Sequence, residues 1–176
     1  FIYDFNGRLV AELNPSGSLR SHFVYAIQSH SPDLMIKYGV TYRFAKDHLG
    51  SIRAVINTQT GEVAQQINYD EFGVVLTDTN PAYQPFGFAG GHYDPDTKLV
   101  RFGARDYDAE VGRWTSKDPI LFDGGDGNLY GYAFSDPVNF IDPAGQNPLT
   151  GLILGTIVFE VAFDPTTFVQ PFRETG

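Results

Sequence analysis

Apolar residues in this chain come mostly in short runs that swap sides, not in stripes three or four positions apart. Ser51-Ile52-Arg53-Ala54-Val55-Ile56 reads as a strand with one buried face, and residues 63–69 read as its return. Between them Asn57-Thr58-Gln59-Thr60-Gly61 makes the reversal, and Asn14-Pro15-Ser16-Gly17 does the same between residues 9–13 and 19–27. Asn offers the turn a side-chain acceptor, and Gly tolerates the positive φ that tight turns need. The pattern predicts an all-β fold of antiparallel hairpins with only short helices.

The polar punctuation repeats. Tyr3-Asp4-Phe5-Asn6-Gly7-Arg8-Leu9 returns as Asp47-His48-Leu49-Gly50-Ser51-Ile52-Arg53, as Tyr69-Asp70-Glu71-Phe72-Gly73, and more loosely at Tyr93-Asp94 and Tyr107-Asp108. The Asp carboxylate can accept the N–H two residues on, and the Gly three residues on completes the turn. The intervals between Asp47, Asp70 and Asp94 suit one hairpin per unit. Each Tyr is expected to pack on the Gly-proximal strand of a neighbouring unit. A single hairpin cannot bury its own face, so the units must stack.

Five stretches break the rhythm. Residues 28–38 read as a loop, the Pro- and Gly-rich residues 78–91 as a surface crossing, and 119–128 as a turn-rich link. Residues 128–132 could form one helical turn or a strand. The longest apolar run, 149–163, is short for a membrane span and is broken by Thr, Gly and Glu160, so a membrane is not an expected partner.

Composition narrows the function classes. The formal charge of −9 disfavours a nucleic-acid partner, which needs a basic face. The absence of Cys excludes disulfides, thiolate metal sites and a Cys nucleophile. His22, His30, His48 and His92 lack metal-ligand spacing, and neither a metal nor a cofactor is expected. There is no phosphate loop, nucleophile elbow or Ser-His-Asp set. The chain opens on Phe1, in mid-pattern, and reads as a piece of a longer protein.

Candidate chemistry gathers in residues 99–145. Three Asp-Pro steps fall at Asp118, Asp136 and Asp142, after Arg105-Asp106 and a Tyr107-Asp108 unit ending in Gly112-Arg113-Trp114. Two carboxylates in contact can share a proton, one then acting as base on a water, and an arginine beside them can hold the charge or an oxyanion. The plainer reading is structural. Asp118 caps a turn, Arg105 and Asp106 form ordinary ion pairs, Asp108 is the turn Asp of its unit, and Arg113-Trp114 is a packing pair.

Over roughly residues 1–145 these motifs resemble the Rhs/YD-repeat proteins, whose relatives include the shells of ABC toxin C components, bacterial polymorphic toxins and the teneurins. Residues 42–120 are similar to the stretch running from a His-Leu-Gly-Ser motif through Tyr-Asp-x-Phe-Gly into the RHS-associated core. The resemblance implies the end of a hollow spiral β-shell. Its final strands would occupy 1–98 and its inward-curling core 99–146, and 147–176 would begin a variable region, with the apolar run buried in the lumen.

The resemblance further implies a shell that sequesters a C-terminal toxin or effector, secreted or displayed at the cell surface and delivered to target cells. Its partners would be the remaining shell of the same polypeptide, that effector, and secretion or delivery proteins. Arg105, Asp106 and Asp118 match the residues held to form a self-cleaving aspartic protease in the toxin-complex members. The cut would follow the Asp142-Pro143-Ala144-Gly145 motif, between Gln146 and Asn147, although Gln146 stands where Leu or another apolar residue is usual. The alternative is a structural or adhesive wall with no catalysis.

Overall fold

Aspartate turns set the strand ends. Asp4 Oδ1 accepts the N–H groups of Asn6 and Arg8, both at 2.9 Å. Asp47 does the same for Leu49 and Ser51, at 3.0 and 2.9 Å. Asp70 repeats it for Phe72 and Val74, at 3.0 and 2.8 Å. The carboxylate thus takes up two turn donors that would otherwise lack partners. The glycine closing each turn has positive φ: 75° at Gly7, 90° at Gly50 and 94° at Gly73. At Gly73 a Cβ would also drive into the Phe88 ring, so both the turn and its packing require glycine.

The computed structural model describes residues 1–146 and the backbone of Leu149–Thr150. The first sheet is an eight-stranded antiparallel meander in chain order: β1 Ile2–Tyr3, β2 Leu9–Leu13, β3 Leu19–Val24, β4 Leu34–Lys37, β5 Val40–Lys46, β6 Ile52–Asn57, β7 Val63–Tyr69 and β8 Val75–Asp78. The second has four strands, β9 His92–Tyr93, β10 Leu99–Phe102, β11 Arg105–Asp108 and β12 Arg113–Trp114. Its first strand therefore lies on the 1–98 side of the expected boundary. A short pair joins β13 Phe140–Ile141 to β14 Leu149–Thr150. Helix among the described residues is limited to 3-10 turns at Phe88–Gly90, Leu121–Gly124 and Ala133–Ser135. The all-β hairpin architecture is as the pattern predicts.

Three stretches differ from expectation. Residues 28–38 contain β4, because Met35 is fully buried and pairs with Phe23 and Tyr42 on either side. Residues 78–91 do not stay on the surface: Phe86 and Phe88 enter the two cores. The Gln84 side chain makes this possible by bonding both the N–H and the carbonyl of Phe86, at 2.6 and 2.8 Å, as a strand partner would. Residues 128–132 are neither helix nor strand but a turn, with one bridge from Gly131 to Arg113. After it the backbone at Ala133, Phe134 and Ser135 stays left-handed, with φ of 48°, 55° and 60°.

An aromatic cluster joins the two sheets. The Tyr107 and Tyr132 rings lie 4.1 Å apart, and Trp114 and Phe102 lie 5.2 and 5.7 Å from Tyr132. Such pairs each add about 0.5–1.5 kcal/mol beyond their area burial. The Tyr107 hydroxyl donates to the Phe72 carbonyl at 2.8 Å, so the Tyr of one unit sits on the Asp70 turn of another. His48 Nε2 lies 2.8 Å from the Val138 carbonyl and ties the Asp47 turn to the last segment.

Burial holds the His30 imidazole below the usual histidine range; the Leu49 carbonyl it bonds at 3.1 Å opposes this and Lys46 adds to it. Burial lowers His92 in the same way. The unfolded chain takes up these protons first as pH falls. Stability is therefore full above the unfolded value near 6.5 and declines as pH drops below it toward the folded value. Asp4, Asp33 and Asp94 are shifted down from 3.8 and act only at lower pH. The melting temperature is expected to fall between about pH 7.5 and about pH 5, and to fall less in His30→Gln. An equal slope in the variant would clear His30 of this role.

Candidate functional site

Strand alternation decides which side chains of β11 meet the core. Arg105 and Tyr107 are buried, while Asp106 and Asp108 face outward. The Arg105 guanidinium lies 4.2 Å over the Trp114 ring. Its Nε donates to the Gly145 carbonyl at 2.6 Å and its Nη1 to the Leu129 carbonyl at 3.3 Å. Its Nη2 is shared by Asp118 Oδ2 at 2.8 Å and Asp142 Oδ2 at 3.1 Å. One cation thus holds two carboxylates, both nearly or fully buried.

Each carboxylate splits its work. Asp118 Oδ1 accepts the Ile120 N–H at 2.9 Å, closing the turn after the strand, and leaves Oδ2 for Arg105. Asp142 Oδ1 accepts the Gln146 N–H at 3.1 Å, and the Asp142 carbonyl accepts the Gly145 N–H at 3.1 Å. The Asp142-Pro143-Ala144-Gly145 turn is stitched to the β10–β11 hairpin by the Ala104 N–H, which donates to the Ala144 carbonyl at 3.0 Å. The approach is so close that a Cβ on Gly145 would strike the Phe102 carbonyl oxygen, and one on Gly103 would strike the Ala144 carbonyl.

Gly124 brings the two ends of the site together. A Cβ there would lie 2.9 Å from the Gln146 carbonyl oxygen and 3.1 Å from Asp118 Oδ2. Beside it a cavity of about 10 Å³ is lined by Arg105, Asp118, Gly124 and Leu129, close to the room one water needs. On its other side, Gln146 borders a cleft of about 790 Å³ between the two sheets. Burial, with smaller contributions from Tyr107 and Asp142, pushes the Tyr132 hydroxyl well above the usual tyrosine range, so it stays a neutral phenol.

Of the residues singled out in the sequence, Arg105 and Asp118 meet. Asp106 does not join them: on the opposite face of β11 its Oδ2 pairs with Arg101 Nη1 at 2.9 Å, where both side chains are well exposed. The physical reason is the two-residue period of the strand, which sends neighbours to opposite faces. Asp108 is a turn residue, accepting the Glu110 N–H at 3.0 Å. Gln146 is drawn to the site, while Asn147 lies outside the described residues. Sequence reading named Asp142 only as an Asp-Pro step of the cleavage motif, not as an ion partner, and passed over Gly124. An Asp-Pro step looks like a turn, and only burial of the Asp142 carboxylate marks it as an ion partner.

The Teneurin YD-shell family profile matches residues 1–138. The chain is 34% identical over 145 residues to Teneurin-3 of Danio rerio, covering 76% of this chain and 5% of that protein. It is 41% identical over 110 residues to Teneurin-4 of Homo sapiens, covering 62% and 4%. It is 40% identical over 90 residues to YlbH of Escherichia coli (strain K12), covering 50% and 37%. The chain thus spans a small part of the teneurins it matches. Among solved structures, TcdB2-TccC3-Cdc42 superposes with a TM-score of 0.56 at 16% identity, covering 77% of this chain and 10% of that one. TcdB2-TccC3 without its hypervariable C-terminal region gives 0.56 at 17%, covering 82% and 10%. These last two likenesses concern the fold. Among the described residues no helix is long and apolar enough to cross a membrane.

Proposed function

This chain belongs to the Teneurin YD-shell family and is a wall segment of such a shell; from that premise we propose that it closes the shell around the polypeptide that follows Gln146. The carrying observation is the grip of Arg105 and Asp142 on residues 142–146, which leaves Gln146 bordering the cleft between the sheets. The match to a TcdB2-TccC3 structure named as lacking a hypervariable C-terminal region supports a junction here between wall and passenger. On this reading the partners are the rest of the shell and a C-terminal effector, carried out of the producing cell with delivery proteins.

The same geometry supports release by hydrolysis after Gln146. Asp118 and the Gln146 carbonyl oxygen both approach Gly124, beside room for about one water. Water would add to the Gln146 carbonyl carbon and the bond to the Asn147 nitrogen would break. The Asp118 carboxylate would take a proton from the water and pass it to the departing amine. The second reading, a wall that does not cut, is favoured by Asp106 standing outside the site with Arg101.

Mass spectrometry of the full chain at neutral pH separates the two. Release predicts a break after Gln146 that is absent in Asp118→Asn. Neutral pH matters because Asp-Pro bonds such as Asp142-Pro143 break in acid. A chain that stays whole leaves the non-cutting wall.

A further inference from the structure

We propose that a second cleft, bordered by β7, β8 and β9 and untouched by Arg105, Asp118 or Asp142, binds a linear aliphatic diamine. The cleft holds about 620 Å³. The two-residue period of β7 puts Gln65, Ile67 and Tyr69 on one face, and all three border it. Two polar groups of that face are buried without a partner, Gln65 Oε1 and the Tyr69 hydroxyl. Gln65 is 1% exposed and Tyr69 8%. A buried polar atom left unpaired costs free energy, and two beside one cavity point to a ligand that pairs them.

Charge sets the sign of that ligand. Glu12 and Asp106 border the cleft but are paired with Arg20 and Arg101, which border it too. Arg20 Nε is also unpartnered, but Glu12 meets its charge at 2.9 Å. Asp78 and Asp94 border the cleft with neutral partners only. Asp78 accepts the Gln65 amide and the Asn80 N–H, and Asp94 the Asp96 N–H and the Thr97 hydroxyl. The Gln65 NH2 is used on both Asp78 oxygens and the Asn80 carbonyl, each at 3.0 Å, so its oxygen stands as a bare acceptor next to an uncompensated carboxylate. An ammonium, with three donors and a positive charge, suits that seat. Asp94 offers a second charge. Burial first, with Asp78 and Asp94 adding to it and Lys98 opposing, raises the Tyr93 hydroxyl above the ordinary tyrosine value, so both carboxylates are felt at one ring of the cleft. Ile67, Val75 and Leu99 add apolar wall for an alkyl stem. Among the described residues no three carboxylates or imidazoles are placed to hold a metal ion, so the cation that fits is organic.

The test is titration calorimetry of the full chain at low salt, where screening of exposed charges is weakest. The probes are 1,6-diaminohexane and its shorter and longer homologues, with thermal melting as a fold check. At least one diamine should bind saturably and one-to-one. Hexylamine, with a single ammonium, should bind at least about 10-fold more weakly, and adipate, with a carboxylate at each end, should not bind. Asp94→Asn keeps an acceptor for its turn but loses the charge, and should weaken the diamine by about 10-fold. Tyr69→Phe removes only an unpartnered hydroxyl. It should melt at or above the wild-type temperature and still weaken the diamine by about 5-fold, a pairing that a merely structural hydroxyl would not give. A folded wild-type chain that binds no diamine of the series would overturn the inference. So would hexylamine or adipate binding as tightly as the best diamine, or wild-type affinity in both Asp94→Asn and Tyr69→Phe.

Discussion

Arg105→Met should destabilise the chain by about 3–5 kcal/mol, the range for breaking a buried ion pair by removing one partner. Met fills much of the same volume over Trp114, so little of the loss would come from a cavity. The loss comes from what stays behind: Asp118 and Asp142 remain buried without their shared cation, and the Gly145 and Leu129 carbonyls lose a donor. In a domain of this size the melting temperature should drop by on the order of 10 °C. Adding Asp118→Asn to Arg105→Met should recover part of the loss, because one uncompensated charge disappears. The exposed Arg101–Asp106 pair is the comparison, and Asp106→Asn should change stability by at most about 1 kcal/mol. Urea unfolding of the set decides it. If Arg105→Met costs no more than Asp106→Asn, the buried hub carries no weight in the fold.

Gly145→Ala should cost on the order of 3 kcal/mol, from two causes that can be separated. The residue has φ of 63°, which strains any side chain. Its Cβ would also meet the Phe102 carbonyl oxygen and the Arg105 nitrogen, backbone atoms of a hairpin that cannot swing aside as a side-chain tip would. Gly61→Ala isolates the first cause. Gly61 has φ of 75° and nothing within 4 Å of a built Cβ, so it should lose only about 1–2 kcal/mol. Equal losses at the two glycines would mean that the Gly145 turn yields without difficulty, and that its close seat on the hairpin is not a constraint.

The hairpins were legible because their signals are local. An Asp carboxylate at one position and a Gly three later dictate a turn whatever surrounds them, and the runs between turns show their buried faces. What eluded the sequence depends on partners far along the chain. Phe86 and Phe88 sit in a Pro- and Gly-rich stretch that looks solvent-facing, and its burial depends on distant or non-obvious partners for the backbone, such as the Gln84 amide on Phe86 and the Ser51 hydroxyl on the Ala89 N–H. Arg105 and Asp118 could be named from residue type and spacing. Asp106 could be named too, but its place outside the site follows from the strand's face. Asp142 was hidden because a turn and an ion partner call for the same residue, and the sequence does not say how deeply the turn is buried.

The stitching of residues 142–146 onto the β10–β11 hairpin also orders events in time. Each strand of the first sheet pairs with its neighbour in sequence, so those contacts close over short stretches of chain. Arg105 reaches the Gly145 carbonyl across 40 residues. Contacts that distant must wait for the intervening chain and form slowly. During synthesis from the N-terminus the hairpins therefore exist before Gln146 is there to be fastened to them. The fastening of residues 142–146 is therefore a late step, which cannot engage until the hairpins that seat it are in place.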